Sequence, residues 1–328
     1  MGMAVLAPEV RSATPRWLIR HETLLAAILV VALAILGLFN ERFLTIDNLL
    51  NQGRLMTEVG LLALPMTFII ITGGIDLSVG SIVGLCAIML GYSWKNLGFP
   101  LPLAIAFAIG VGGVAGFVNG VLITRVRVPP LIMTIATLAL YRGFAEGISQ
   151  ARSVRNYPEW FFFTGQGEWL GVPMQLWILL VGIIVAGVAL DRTTFGRTLY
   201  AIGNNETAAR FSGLPVDRVK LVVYTLSGLA AGLSAWVLVS RVTTTRSDMG
   251  SGYELDVIAA VVLGGTSIFG GVGTIWGTVV GLVMIQLLKN GLALTGVKGD
   301  ATIIVIGAVL IASTLIASSL HGRREVAD

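Results

Sequence analysis

From Ala63 to Gly91 the chain runs for 29 residues with a single charged side chain, Asp76. As one straight helix this stretch would measure about 43 Å, against a hydrocarbon core of about 30 Å. It is too apolar for a soluble surface and too long for one upright crossing. The sequence supplies its own interruption. Gly73 and Gly74 tolerate backbone angles that end a helix, and Asp76 follows where a new helix wants its N-cap. Two spans are expected here, with Asp76 capping the second.

The remainder of the chain obeys the same constraint. Of its 328 residues 55% are hydrophobic and 12% charged, and the mean hydropathy is +0.87. A soluble domain carries roughly twice that charge, so the chain is read as an integral membrane protein. Apolar runs lie near 24–39, 55–72, 77–91, 101–123, 131–148, 174–190, 221–240, 255–268, 274–288 and 301–320. The expected fold class is therefore an all-α integral membrane protein with about ten transmembrane helices, some short or broken. One transmembrane domain over 23–320 is expected between an N-terminal segment, 1–22, and a tail, 321–328.

Arg11, Arg16 and Arg20 precede the first apolar run as they would in a signal peptide, but no small-residue cleavage site follows, so the run is read as a retained helix. Orientation follows from the cations. The segment 191–220 carries Arg192, Arg197, Arg210, Arg218 and Lys220, and the tail carries Arg323 and Arg324. Placing both inside puts the N- and C-termini in the cytoplasm. The net charge of +4 fits that side of a membrane better than a nucleic-acid patch, so no nucleic-acid partner is expected.

Several function classes drop out. The only histidines are His21 and His321, outside every expected span, and the single cysteine, Cys86, reads as a small core residue. A metal site or disulfide framework has no ligands to build from. No phosphate-binding G-x-x-x-x-G-K-[ST] loop or paired catalytic acids occur, so no catalytic residues are assigned.

Acids inside a bilayer usually face a cavity, a partner or the interface. The polar candidates within or beside the expected spans are Glu58, Asp76 with Ser78, Asn119, Tyr141, Arg142 and Asp256. Arg142 and Glu146 are four apart and can neutralise each other on one helix face. Glu58 and Asp256 sit near expected span ends, where interfacial water is the cheaper explanation. Gly73–Gly74 and a second hinge, Gly264–Gly265, are each followed by a related pentapeptide, "GSIVG" at 80–84 and "GTIWG" at 273–277. Small residues four apart also serve plain helix packing.

The hydrophilic segment 191–220 is longer than a connection requires. Asn204 or Asn205 can cap a short helix through Phe211, and Gly213 can end it in a left-handed turn. Such a helix is placed to dock another protein.

Four ordered motifs, "TGGIDLSVGS" at 72–81, "NGVLITRVRVPPLIMTIATL" at 119–138, "TTFGRTLYAIGNNETAARFSGLPVDRVK" at 193–220 and "LDVIAAVVLGGTSIFGGVGT" at 255–274, resemble the permease subunits of ribose-type bacterial ABC monosaccharide importers. The resemblance runs from about Leu24 to Leu320. It implies a multi-pass protein of the bacterial inner membrane, surrounded by membrane lipid and paired with a second permease, identical or paralogous. It also implies ABC ATPase subunits on the cytoplasmic side, which would hold ATP and magnesium, and a periplasmic sugar-binding protein; this chain itself would bind no cofactor. The 191–220 segment would be the coupling loop, with Gly203, Asn204, Asn205, Glu206, Thr207, Ala208, Ala209, Arg210 and Gly213 as its ATPase-coupling residues. Importer permeases commonly show Glu-Ala-Ala, three residues, then Gly. Here Thr207 stands at the acid's place and Glu206 is displaced by one, which weakens any role carried over to that acid. Branched-chain amino-acid permeases typically read "NLAHG" where this chain has "DLSVG", which favours a polyhydroxylated solute. The alternatives are an amino-acid substrate for the same machinery, or an ion-coupled secondary carrier needing no ATPase.

Overall fold

The computed structural model describes residues 43–294 without interruption, with Gly37, Glu41, Gly296, Ala301, Ile304, Gly307 and Ala308 besides. The expected spans 24–39 and 301–320 and both terminal segments lie, apart from those isolated positions, outside the described residues.

The described chain folds as α1 (Ile46–Ile71), α2 (Val79–Lys95), α3 (Leu101–Thr124), α4 (Pro130–Ser149), a 3-10 turn (Glu159–Phe162), α5 (Phe163–Gln166), a two-residue hairpin of β1 (Glu168–Trp169) and β2 (Val172–Pro173), α6 (Met174–Arg192), α7 (Thr194–Asn204), α8 (Glu206–Phe211), α9 (Val216–Val242), α10 (Tyr253–Leu263) and α11 (Ile275–Leu294). Against the expected ten spans, six of these eleven helices are long and apolar enough to cross a membrane: α1, α3, α4, α6, α9 and α11.

The double-glycine interruption is present. α1 ends at Ile71, Gly73 takes a φ of +76°, and its amide donates to the carbonyl of Ile70 at 2.9 Å. α2 begins at Val79 after seven intervening residues, and at 17 residues it measures about 26 Å, short of a full crossing. At its other end α1 starts nine residues before the expected 55. Its first turns are polar, so apolar counting misses them. Thr45 caps the helix through the amide of Asn48, and the side chains of Asn48 and Gln52 hydrogen-bond Asn290 and Gln286 on α11.

The expected span 255–268 needs correction. Only 253–263 is helical, about 16 Å, and the chain turns at Gly264–Gly265. The rest of that crossing is the non-helical segment 243–252, which runs along α2. Thr245 lies against Gly91 at one end, and Ser247 and Met249 lie against Gly84 further along. This stretch, bridged at Thr245 and turning over 247–252, and α10 together stand where one helix was expected. Its polar sequence hides it, because "TTTRSDMGSG" reads as a surface loop. Non-helical backbone at such depth is tolerated only where protein covers it or it borders water, and here Thr245, Met249 and Gly250 are buried while Arg246 and Asp248 are exposed and pair with each other.

The core is built on α9, which packs along α3, α1 and α2. Gly112 and Gly116 on α3 face Gly228 and Tyr224 on α9 so closely that a methyl at either would overlap a backbone carbonyl. The two pentapeptides also serve close approach. Gly80 and Gly84 admit the extended segment rather than another helix, and Gly277 admits Gly264. Cys86 is buried here, as expected of a core residue. Outward faces stay apolar: Leu103, Val114 and Phe117 on α3 and Ile184 and Val185 on α6 are exposed, as on a surface that lipid or another membrane chain covers.

Gly116→Val overpacks the α3–α9 contact and is expected to cost about 1–3 kcal/mol or more. Gly143→Ala, where nothing lies within 4 Å of the added carbon, is expected to be neutral or slightly stabilising. Thermal unfolding in detergent measures the contrast.

Candidate functional site

The polar candidates do not line one cavity. They fall into four groups along the bundle, fully buried at Asp76 and Glu58 and partly buried at Arg142 and Asp256, and a fifth group at the end that carries α7 and α8.

The first group forms at the interruption after α1. Asp76 is fully buried, and its Oδ1 accepts from the amide of Ser78 at 3.0 Å and from the Ser78 hydroxyl at 2.6 Å. Its Oδ2 accepts from the hydroxyl of Ser227 on α9 at 3.1 Å. Asn119 on α3 donates to Ser78 Oγ at 2.8 Å, and Tyr141 on α4 donates to the side-chain Oδ1 of Asn119 at 3.2 Å. Thr134 on α4 donates to the carbonyl of Ile75. One carboxylate thereby ties the broken segment, α3, α4 and α9 together. Asp76 was expected as the N-cap of α2, but Ser78 occupies that position and Asp76 sits two residues earlier, where it accepts the Ser78 amide. Gly74 is needed for a different reason than a hinge alone, since a methyl there would stand 2.6 Å from the Tyr224 hydroxyl. That hydroxyl is buried with no hydrogen-bond partner among the described residues.

The second group corrects Glu58. It was placed near a helix end in interfacial water, but α1 begins earlier than expected and Glu58 is fully buried, paired with Arg241 of α9 at 2.7 Å. Ser234 donates to its backbone carbonyl. The third group corrects Arg142, whose partner is not Glu146. Its guanidinium donates to the carbonyls of Ser247 and of Met249 (3.0 Å) and to that of Gly80 (3.3 Å). It clamps the extended crossing to α2. The fourth group pairs Asp256, in the first turn of α10, with Lys289 of α11 at 2.5 Å, and both side chains stay partly exposed. Among the described residues no cluster of His, Cys, Asp and Glu could hold a metal.

At the α7–α8 end two helices stand where one was expected. Thr193 caps α7 through the amide of Gly196, and Gly196, Leu199 and Ile202 form its buried stripe. Asn205, not Asn204, caps α8 by accepting from the amide of Ala208 at 2.9 Å. Gly213 follows at φ +78°, and the amide of Leu214 closes the turn on the carbonyl of Ala209. Glu206 pairs with Arg210 (2.8 Å) and Lys220 (2.5 Å), and Arg210 also pairs with Asp217 (2.5 Å). Burial pushes the Glu206 carboxyl up, but hydrogen bonds from Lys220 and Arg210 outweigh it and hold the group below its ordinary value. The Arg210 guanidinium is held correspondingly high by Asp217 and Glu206. Stability from the Glu206 pairs is thus complete above the ordinary carboxylate range and is lost as acid carries the pH down through the depressed value. Exposure limits each pair to about 0.2–1 kcal/mol. Thr207 and Ala208 are exposed, Ala209 is buried, and Phe211 is 89% exposed.

Gly203 and Asn204 end α7 against the end of α1 and the 264–274 connection, beside the second hinge at Gly264–Gly265. The residues that composition and spacing missed are the partners: Ser227, Tyr224, Arg241, Lys289 and Tyr200. A serine in "TLSGLAAG" looks like any small packing residue, and an ion pair 183 positions apart leaves no local signal.

The family described as branched-chain amino acid transport system, permease component, matches residues 46–314. The ribose import permease protein of Escherichia coli K12 is 37% identical over 314 residues, covering 93% of this chain and 96% of that protein. The autoinducer 2 import system permease protein of Photorhabdus luminescens is 36% identical over 307 residues, covering 92% of each. No solved structure matches the chain.

Arg142→Lys keeps the charge but loses the planar fork that reaches three carbonyls. It is expected to lower unfolding free energy by about 2 kcal/mol or more and to open 243–252 to protease, read by thermal unfolding and limited proteolysis.

Proposed function

This chain belongs to the family of transport-system permease components described above, and from that premise we propose that it carries a monosaccharide inward as the membrane subunit of an ATP-driven, binding-protein-dependent importer. The observation that carries the substrate class is the similarity, over more than nine-tenths of the chain, to permeases whose names specify ribose and autoinducer 2 import. As a member of that family the chain is a multi-pass protein of the bacterial inner membrane. The branched-chain amino-acid wording of the family description supports a second reading, in which the cargo is an amino acid.

The α7–α8 end faces the cytoplasm in this proposal. It gathers Arg125 and Arg127 from the α3–α4 connection with Arg192, Arg197, Arg210, Arg218 and Lys220, as the inner side of a membrane requires. With that orientation the terminal segments 1–22 and 321–328 also lie inside, and 23–320 forms one transmembrane domain. α8, with Phe211 projecting beside it, docks an ABC ATPase that holds ATP and magnesium. A second permease covers part of the apolar flank, and a periplasmic sugar-binding protein delivers cargo to the far end. Alternating access then moves the discontinuous crossings, 72–78 with α2 and 243–252 with α10, whose backbones are not locked into continuous helices. Asp76, Ser78, Asn119, Tyr141, Glu58, Arg142 and Asp256, together with the hinges at Gly73–Gly74 and Gly264–Gly265, are the residues proposed to line or gate the path. In this proposal hydroxyl-rich cargo suits the Asp76 group, whose donors and acceptors can be exchanged one for one. An ion-coupled carrier is less well supported, since Glu58 and Asp256 already hold cationic partners.

Proteoliposomes containing this chain, its ATPase and its binding protein are expected to take up labelled ribose or a related monosaccharide only with ATP. Leucine uptake would favour the second reading, and uptake by the chain alone under an ion gradient would contradict both. Gly213→Val, strained at positive φ by about 1–3 kcal/mol, is expected to cut coupled uptake about tenfold or more.

A further inference from the structure

Where α7 ends, three backbones from distant parts of the chain meet with almost no side chain between them. The carbonyl of Ile71, last residue of α1, accepts from the amide of Gly271 at 2.9 Å. Gly203 fits against the same carbonyl so tightly that a methyl would overlap it and crowd Gly271. Gly270 lies beside the Ile71 and Gly203 carbonyls and the amide of Gly73, and the Asn204 side chain covers Gly271. One turn earlier on α7, the Tyr200 hydroxyl donates to the carbonyl of Gly273 at 2.7 Å. The connection itself is compact, closed by Ser267 on the carbonyl of Val272 (2.9 Å) and by Gly270 on that of Ser267 (2.9 Å).

The two elements joined to α7 each adjoin one of the discontinuous crossings, at the break after α1 and at the far end of α10. Ile71 leads through Gly73 into Asp76 and its hydrogen bonds, and 264–274 joins α10 to α11. Packed backbones transmit displacement because close-packed contacts cannot compress, and hydrogen bonds to both neighbours add a pull to the push. α8 follows α7 with only Asn205 between them.

We propose that the junction of Gly203, Ile71 and Gly271, braced by Tyr200, is the joint through which movement of the α7–α8 unit shifts both broken crossings together. Gly203 and Tyr200 are positioning residues, acting through backbone and touching no cargo. This rests on the reading of α8 as the ATPase dock and names what lies behind that dock.

The test uses the full importer complex in proteoliposomes, with capture of the ATPase, ATP hydrolysis and sugar uptake measured on the same preparation. Tyr200→Phe removes one hydrogen bond without changing volume, and Gly203→Ala wedges the joint. Tyr200→Phe is expected to capture the ATPase normally and to hydrolyse ATP while cargo moved per ATP falls several-fold, and in Gly203→Ala cargo moved per ATP is expected to fall at least tenfold. A merely structural role would lower capture, hydrolysis and uptake together and leave their ratio at the native value. A native ratio in Tyr200→Phe, with the ATPase captured, overturns the inference even if Gly203→Ala does not fold. Failure of the native chain to capture any ATPase overturns the docking reading and this inference with it.

Discussion

The carboxylate of Asp76 holds α9 to the break that follows α1, and the arrangement of the other helices depends on it. A chain that stops being helical inside a bilayer must find partners for freed backbone amides and carbonyls. Asp76 supplies acceptors for the Ser78 amide and for two serine hydroxyls, and Ser78 passes the connection on to Asn119 and Tyr141. Burying a carboxylate costs several kcal/mol unless such donors surround it. Three donors on the acid and two further helices reached through them make this break a fixed feature of the fold.

The same logic recurs at the other buried charges. Glu58 meets Arg241, Asp256 meets Lys289, and the Arg142 guanidinium meets backbone carbonyls in place of an acid. Glu58 and Arg142 reach elements far apart in sequence, while Asp256 ties the consecutive helices α10 and α11. Removing Arg241 leaves the fully buried Glu58 charge uncompensated, at about 3–5 kcal/mol. The ion pairs on α8 are different in kind, exposed and individually weak, as befits a surface that another protein can cover.

The part of this arrangement that follows local rules could be read from the sequence. Adjacent glycines at 73 and 74 after an apolar run announced a break, and Gly213 after a short capped helix announced its end. The apolar lengths placed α3, α4 and α6 within about two residues of their ends. What failed were features set by tertiary partners. Polar first turns concealed the start of α1, because Asn48 and Gln52 are satisfied by α11 rather than by water. The segment 243–252 looked like a surface loop because its sequence is polar, and its ties to Arg142 and Val154 leave no local signal. Arg142 and Glu146 looked like a pair because spacing of four is the only relation a sequence displays. Asp76 was recognised as the unusual residue, but Ser227, its partner 151 positions away, carried no mark.

The central claim is that the Asp76–Ser227 contact couples the broken segment to α9. A double-mutant cycle with Asp76→Asn, Ser227→Ala and the pair, read as unfolding free energy in detergent, tests it directly. The account predicts an interaction energy of about 1–3 kcal/mol between the two sites. Additivity within about 0.5 kcal/mol would contradict it.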